Sequence, residues 1–71
     1  MQNGLQKANS MSQILEVALK REREAYRFYD RLLSETKVGI LKEILEQLRD
    51  EEQKHIRMIE KKIAQMNLGQ G

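Results

Sequence analysis

The chain has 71 residues, no cysteine and no proline, and a net charge of +2 set by 13 Lys and Arg against 11 Asp and Glu. So short a chain buries little core alone, and without cysteine it has no disulfide, zinc–thiolate site or iron–sulfur cluster to lean on; metal binding and self-association remain. Charges of both signs are interspersed, as on a solvated helix surface rather than a nucleic-acid footprint, and no apolar run approaches the roughly 18 residues of a membrane span.

The composition is rich in Glu, Lys, Arg, Gln, Leu, Ile and Ala. It predicts an all-α chain forming one small domain over residues 1–71. No hydrophobic signal region opens the sequence, so the expected compartment is cytoplasmic.

Met1 to Asn9 is polar and aperiodic, and residues 1–10 are expected to be a flexible arm. Ser10 and Gln13 have the form of a capping box, with Ser12 a competing N-cap. From Ile14 to Leu33 the apolar residues Ile14, Leu15, Ala18, Leu19, Ala25, Tyr26, Phe28, Tyr29, Leu32 and Leu33 recur at helical spacing, which predicts a first amphipathic helix. One acid interrupts the stripe: Glu22, four residues after Ala18 and three before Ala25. Glu16 and Glu24 project elsewhere. Ser34 to Gly39 reads as the tight turn of an αα-hairpin, with Thr36 as N-cap of the next helix. That helix is expected from about Gly39 to about Met66, with Lys61 and Lys62 near its C-terminal end, where the helix dipole favours cations. Residues 67–71 hold two glycines and read as a flexible C-terminal stop.

The stripe of the second helix runs Leu41, Ile44, Leu45, Leu48, Ile59, Ile63 and Met66. Glu52 and His55 fall in the middle of it, three residues apart and so on one helix face. A carboxylate and an imidazole on a buried stripe are costly unless partnered. A metal ion is the simplest shared partner; Arg49, three residues before Glu52, is the alternative. Taken singly, Glu22 reads as a surface acid and His55 as a satisfied core histidine. Taken together, the only His of the chain at i+3 from a Glu, opposite a helix with one in-stripe acid, points to a metal site. Glu51, at the stripe edge, is a rival ligand or an acid on the approach to the site. Tyr29 lies one heptad beyond Glu22 and, with Tyr26, stands behind the candidate ligands. It is placed to hydrogen-bond a ligand or supply an electron, although a core aromatic satisfied locally is the commoner reading. Met58 and Met66 read as packing residues.

Two amphipathic helices cannot cover each other's wide stripes. The economical solution is a symmetric dimer, two hairpins packed as a four-helix bundle. Two chains then offer four carboxylates and two imidazoles, the ligand set of di-iron and di-manganese carboxylate bundles. Such donors suit Fe or Mn, with Zn as a possible substitute.

Glu22, Ala25, Phe28 and Tyr29 on the first helix, followed by Glu52 and His55 on the second, resemble one half of a rubrerythrin-type ferritin-like protein. Those proteins carry Glu-x-x-Ala-x-x-(Phe/Tyr)-Tyr and Glu-x-x-His twice in one chain; here each occurs once. That is similar to the encapsulated ferritins, whose two-helix subunits build a di-iron site between chains, and the run Arg49 to His55 is especially similar to theirs. The resemblance covers roughly Ile14 to Ile63. It implies a homodimer or higher ring with a ferritin-like four-helix bundle, and two Fe per dimer. Glu22, Glu52 and His55 would be both ligands and catalytic residues, with Glu52 bridging or chelating and His55 terminal. The implied activity is that of a ferroxidase-type oxidoreductase, oxidising Fe(II) with oxygen or peroxide for iron storage or detoxification. An encapsulin shell is the implied further partner and compartment. Two features depart from the pattern: there is no rubredoxin-like cysteine segment, and Met66 to Gly71 shows no apolar shell-docking peptide.

Three other classes compete. A structural helical-hairpin oligomerisation module, with Glu52 and His55 paired to bases, predicts full stability without metal. Nucleic-acid binding draws on the sequence pI of 9.1 but lacks a basic face. An amphipathic membrane helix is opposed by acids throughout the polar faces and by the absence of Trp. Neither nucleic acid nor membrane is an expected partner.

Overall fold

The computed structural model describes the backbone of residues 7–70 and the side chains of residues 11–67. Two helices, α1 (Lys7–Glu35) and α2 (Gly39–Gln70), are joined by Thr36, Lys37 and Val38 into a hairpin. Met1 to Gln6 and Gly71 lie outside the described residues, as does most of the expected N-terminal arm.

Both helices are longer than the sequence reading allows. Lys7, Ala8 and Asn9 continue α1 behind Ser10, so neither Ser10 nor Ser12 is a cap. Nothing in Lys7 to Asn9 breaks a helix, and Lys and Ala are among its better formers. At the other end α2 runs through Asn67 and Gly69 to Gln70. No described glycine takes a positive φ, so Gly69 does not act as the left-handed cap that usually stops a helix. The turn also differs in detail. Thr36 N–H donates to Leu33 C=O at 3.4 Å, and Lys42 N–H donates to Val38 C=O at 3.0 Å. Thr36 therefore closes the last turn of α1, and Val38 stands at the start of α2.

At about 1.5 Å per residue the helices are about 44 and 48 Å long, and the hairpin measures 51 × 25 × 12 Å. Twelve ångströms is the thickness of one helix with its side chains. Among the described residues no third layer closes a core, and only Leu19 and Ile56 of their hydrophobic side chains are buried. Partly covered residues complete one stripe on each helix: Leu15, Glu22, Tyr26, Tyr29 and Leu33 on α1; Leu45, Leu48, Glu52, Ile59 and Ile63 on α2. Lys7 and Gln70 lie at the end opposite the turn.

The two flanks of the hairpin differ. Advancing about 100° per residue, Arg23 and Asp30 fall on one flank of the α1 stripe, and Arg49 and Glu60 on the matching flank of α2. There two ion pairs cross between the helices, Arg23–Glu60 at 2.9 Å and Arg49–Asp30 at 3.2 Å. Exposed pairs of this kind contribute about 0–1 kcal/mol each, but they mark this flank as the water-facing one. The other flank carries Ile14 and Phe28 from α1 and Ile40, Ile44 and Met58 from α2. With Leu41 these residues are 46–65 % exposed. A helix stripe wider than one neighbour can cover is the reason: Leu41 and Ile44 continue the apolar pattern, yet the hairpin alone leaves them in water. Among the described residues, no helix is long and apolar enough to cross a membrane.

Candidate metal centre

Glu52 and His55 share a face because they are three residues apart on α2; the hairpin register then brings Glu22 of α1 against both. His55 Nδ1 lies 3.2 Å from Glu22 Oε1 and 3.5 Å from Glu52 Oε1. One donor atom from each of the three residues lies within 4.8 Å of the other two. The cluster sits where the covered stripe meets the apolar flank. Its carboxylates are largely sheltered, with side chains 29 and 19 % exposed for Glu22 and Glu52, while the His55 side chain is 51 % exposed.

The cluster is rich in acceptors and poor in donors. Two carboxylates and an imidazole converge with at most two N–H groups among them. Glu52 Oε1 is buried without a hydrogen-bond partner; its 3.5 Å approach to His55 Nδ1 is proximity without hydrogen-bond geometry. An orphaned acceptor of this kind costs about 1–3 kcal/mol, and more if charged. A divalent cation would satisfy it, and carboxylate oxygen with imidazole nitrogen is a donor set that Fe or Mn accepts. The residues present fit such an ion.

The protonation pattern follows from the crowding. Hydrogen bonding with Glu52 is the main influence holding the Glu22 carboxyl below its ordinary range, assisted by His55 and opposed by desolvation. Glu52 is pushed up, first by hydrogen bonding with Glu22, then by desolvation and the Glu22 charge. The two acids thus tend to share one proton when no cation is present, as close carboxylates do. His55 is raised above its ordinary 6.5, chiefly by its hydrogen bond to Glu22.

These directions give a test with a sign. In metal-free protein the raised His55 contributes stability that is full below 6.5 and is lost as pH rises through its folded value. A bound cation needs His55 neutral and both acids ionised, so metal binding strengthens with pH over the same window. Denaturant midpoints measured upward from pH 6.5 are therefore expected to fall for metal-free protein and to rise in saturating Mn(II). Parallel slopes would contradict a site made of these groups.

The other residues singled out by sequence are placed as follows. Arg49 bonds to Asp30 and to Asp50, at 3.2 and 3.3 Å, rather than to Glu52. Asp30 is 19 positions away, and only the hairpin register reveals it. Glu51 is exposed and outside the cluster. Tyr26 and Tyr29 are half-buried on α1. The Tyr29 ring packs on Phe28, with centroids 5.5 Å apart and planes tilted by 60°, and neither hydroxyl bonds to a cluster residue among the described contacts.

Glu on one helix and Glu-x-x-His on the next is the ligand pattern of ferritin-like carboxylate proteins. The family model described as Rubrerythrin matches residues 13–71, and the chain belongs to that family, within the ferritin-like superfamily. No curated protein and no solved structure matches it.

Proposed function

We propose that the protein is a di-iron carboxylate ferroxidase whose centre forms between two copies of the hairpin. The observation that carries this reading is the convergence of Glu22, Glu52 and His55 with one buried carboxylate oxygen left without a partner. Their position supports an intersubunit centre. His55 is half-exposed on the flank that also exposes Ile44 and Met58, so a second hairpin on that flank would double the donor set to four carboxylates and two imidazoles. Four negative charges offset two divalent cations, where unpaired they would repel.

Fe(II) is the substrate. Two ions give up one electron each, and the pair of electrons with two protons reduces dioxygen to hydrogen peroxide, or hydrogen peroxide to two waters. In this chain Glu22 and Glu52 supply the anionic oxygens that favour Fe(III) over Fe(II). His55 is a neutral donor whose proton leaves on binding. The apolar flank excludes water once covered. Iron storage or detoxification is the role this chemistry serves. Assembly beyond the dimer, into a ring or within an encapsulin shell, follows from the family resemblance and is part of the same proposal.

A structural hairpin module is the second reading, and the His55–Glu22 contact favours it, since a protonated His55 partly neutralises the acids. It leaves the Glu52 oxygen orphaned. Anaerobic Fe(II) titration of metal-stripped protein, followed by air, separates the two. The ferroxidase reading expects saturation near one iron per chain, about two per pair of hairpins, and then a rapid rise in ferric absorbance. No binding, with an oligomer as stable as before, would transfer the case to the structural module.

A further inference from the structure

One face of the hairpin is used neither by the metal cluster nor by the proposed pairing. Advancing about 100° per residue, Lys20 and Arg27 stand about 160° and 140° around α1 from Glu22, on the back of the helix beyond the water-facing flank. A second hairpin seated on the apolar flank leaves this face open. Here Glu16, Val17, Lys20, Arg23 and Arg27 line an open groove of about 520 Å³. Arg31, four residues after Arg27, continues the same row beyond the groove.

The row departs from the usual pattern of a helix surface. Like charges three and four residues apart destabilise a helix, and opposite charges at that spacing stabilise it. Acids are within reach in sequence: Glu16 and Glu24 stand four residues either side of Lys20, and Glu24 and Asp30 three residues either side of Arg27. Yet among the described residues Arg23 is the only one of the three cations in a salt bridge, to Glu60 at 2.9 Å, while Asp30 is bonded to Arg49. Lys20 and Arg27 line the groove without a carboxylate partner, and the lining holds three cations against one acid, Glu16.

Such a lining suits a tetrahedral dianion. A guanidinium fork bonds two oxygens of a phosphate at once, and a lysine adds a point charge. Arg23 gives one N–H to Glu60 and keeps the rest. Lys20 and Arg27 are about 10 Å apart along the axis, with Arg23 between them, so the three long side chains can close on one ion. We infer that the groove is a phosphate site, in which Lys20, Arg23 and Arg27 hold one inorganic phosphate with Val17 as an apolar wall. Glu16 supplies the selectivity. It accepts a hydrogen bond from the P–OH of hydrogenphosphate; sulfate has no such proton, and its oxygens would be repelled. No step of iron oxidation uses these residues, so the inference stands or falls apart from the ferroxidase reading.

The test is isothermal titration calorimetry of the metal-stripped full chain with sodium phosphate, and then sodium sulfate, at neutral pH and constant ionic strength. Saturable binding near one phosphate per chain is expected, with sulfate several-fold weaker. Lys20→Gln combined with Arg27→Gln should weaken phosphate binding about tenfold or more, with helix content by circular dichroism unchanged. Lys54→Gln combined with Lys61→Gln removes the same charge from the exposed back of α2 and should bind phosphate as the parent does. Glu16→Gln should narrow the gap between phosphate and sulfate, since an amide can donate to either ion. Absence of saturable binding, or an equal loss in both double variants, overturns the site. A preference for phosphate undiminished in Glu16→Gln overturns the role given to Glu16.

Discussion

Replacing Glu52 with alanine is expected to reduce iron oxidation to the rate of free Fe(II) in the same buffer, with helix content unchanged by circular dichroism. His55→Ala should do the same. Each substitution removes one donor from every chain, and in a two-fold pair each removes two from the shared centre. The remaining carboxylates then hold too little charge in too open a geometry to keep two cations side by side. The helices should survive because neither residue contributes apolar burial: among the described residues the buried side chains are Leu19 and Ile56, and alanine is the best helix former. Glu51→Ala is the matched control. Glu51 is exposed and stands outside the cluster, so its variant should keep most of the activity. Unchanged oxidation in both the Glu52 and His55 variants would sink the assignment of these residues.

The meeting of Glu22, Glu52 and His55 was legible in the sequence because its signal is a violation of pattern. Glu22, Glu52 and His55 occupy slots where helical periodicity asks for Leu or Ile; the hairpin shelters the two carboxylates and leaves His55 half-exposed. Periodicity also located the hairpin, since Ile14 to Leu33 and Leu41 to Met66 repeat at the helical interval around one polar break. What periodicity does not carry is the ends. Ser10 and Thr36 have the right chemistry for caps, but a cap is set by where backbone groups run out of partners. Lys7 to Asn9 extend α1 past Ser10, and Thr36 bonds back to Leu33. Nor does an apolar stripe say which of its residues one neighbour will cover. The stripe read from sequence includes Ile44 and omits Ile56, yet Ile44 is 46 % exposed and Ile56, at 7 %, is buried. The difference is the angular position of each residue around α2 relative to a single packed helix. Arg49 shows the same limit in polar form: its neighbours Asp50 and Glu52 compete in sequence with Asp30, which only the folded hairpin presents.

The second large effect is a reversal of stability. Glu52→Leu is expected to make metal-free protein more stable than the parent by about 2 kcal/mol, from burial of a leucine side chain and removal of an orphaned acceptor. At a fixed protein concentration that is a rise in melting temperature of about 10 °C for a domain of this size. Addition of Fe(II) under anaerobic conditions, or of Mn(II), should then stabilise the parent and leave the variant unmoved. A ligand at 100 times its dissociation constant contributes about 2.7 kcal/mol, so the order of the two melting curves should close or invert when metal is present. A variant that is less stable than the parent without metal would mean that Glu52 already has a good partner in the folded chain. Such an outcome would identify the proton shared with Glu22 as that partner. The comparison separates what the acid does for the fold from what it does for the metal, which activity measurements alone do not.

Both ends of the described chain, Lys7 and Gln70, emerge on the side of the hairpin away from the turn. For a gene that doubles, this geometry has a consequence. If two copies lie head to tail, the exit of the first and the start of the second are separated by nearly the length of the 51 Å rod. A tandem fusion that keeps the same bundle then needs a crossover of about 15 extended residues, running over the outside of the helices. A fusion joined by a loop of only a few residues could not reach; it would have to exchange hairpins with a neighbouring fusion or turn one half around.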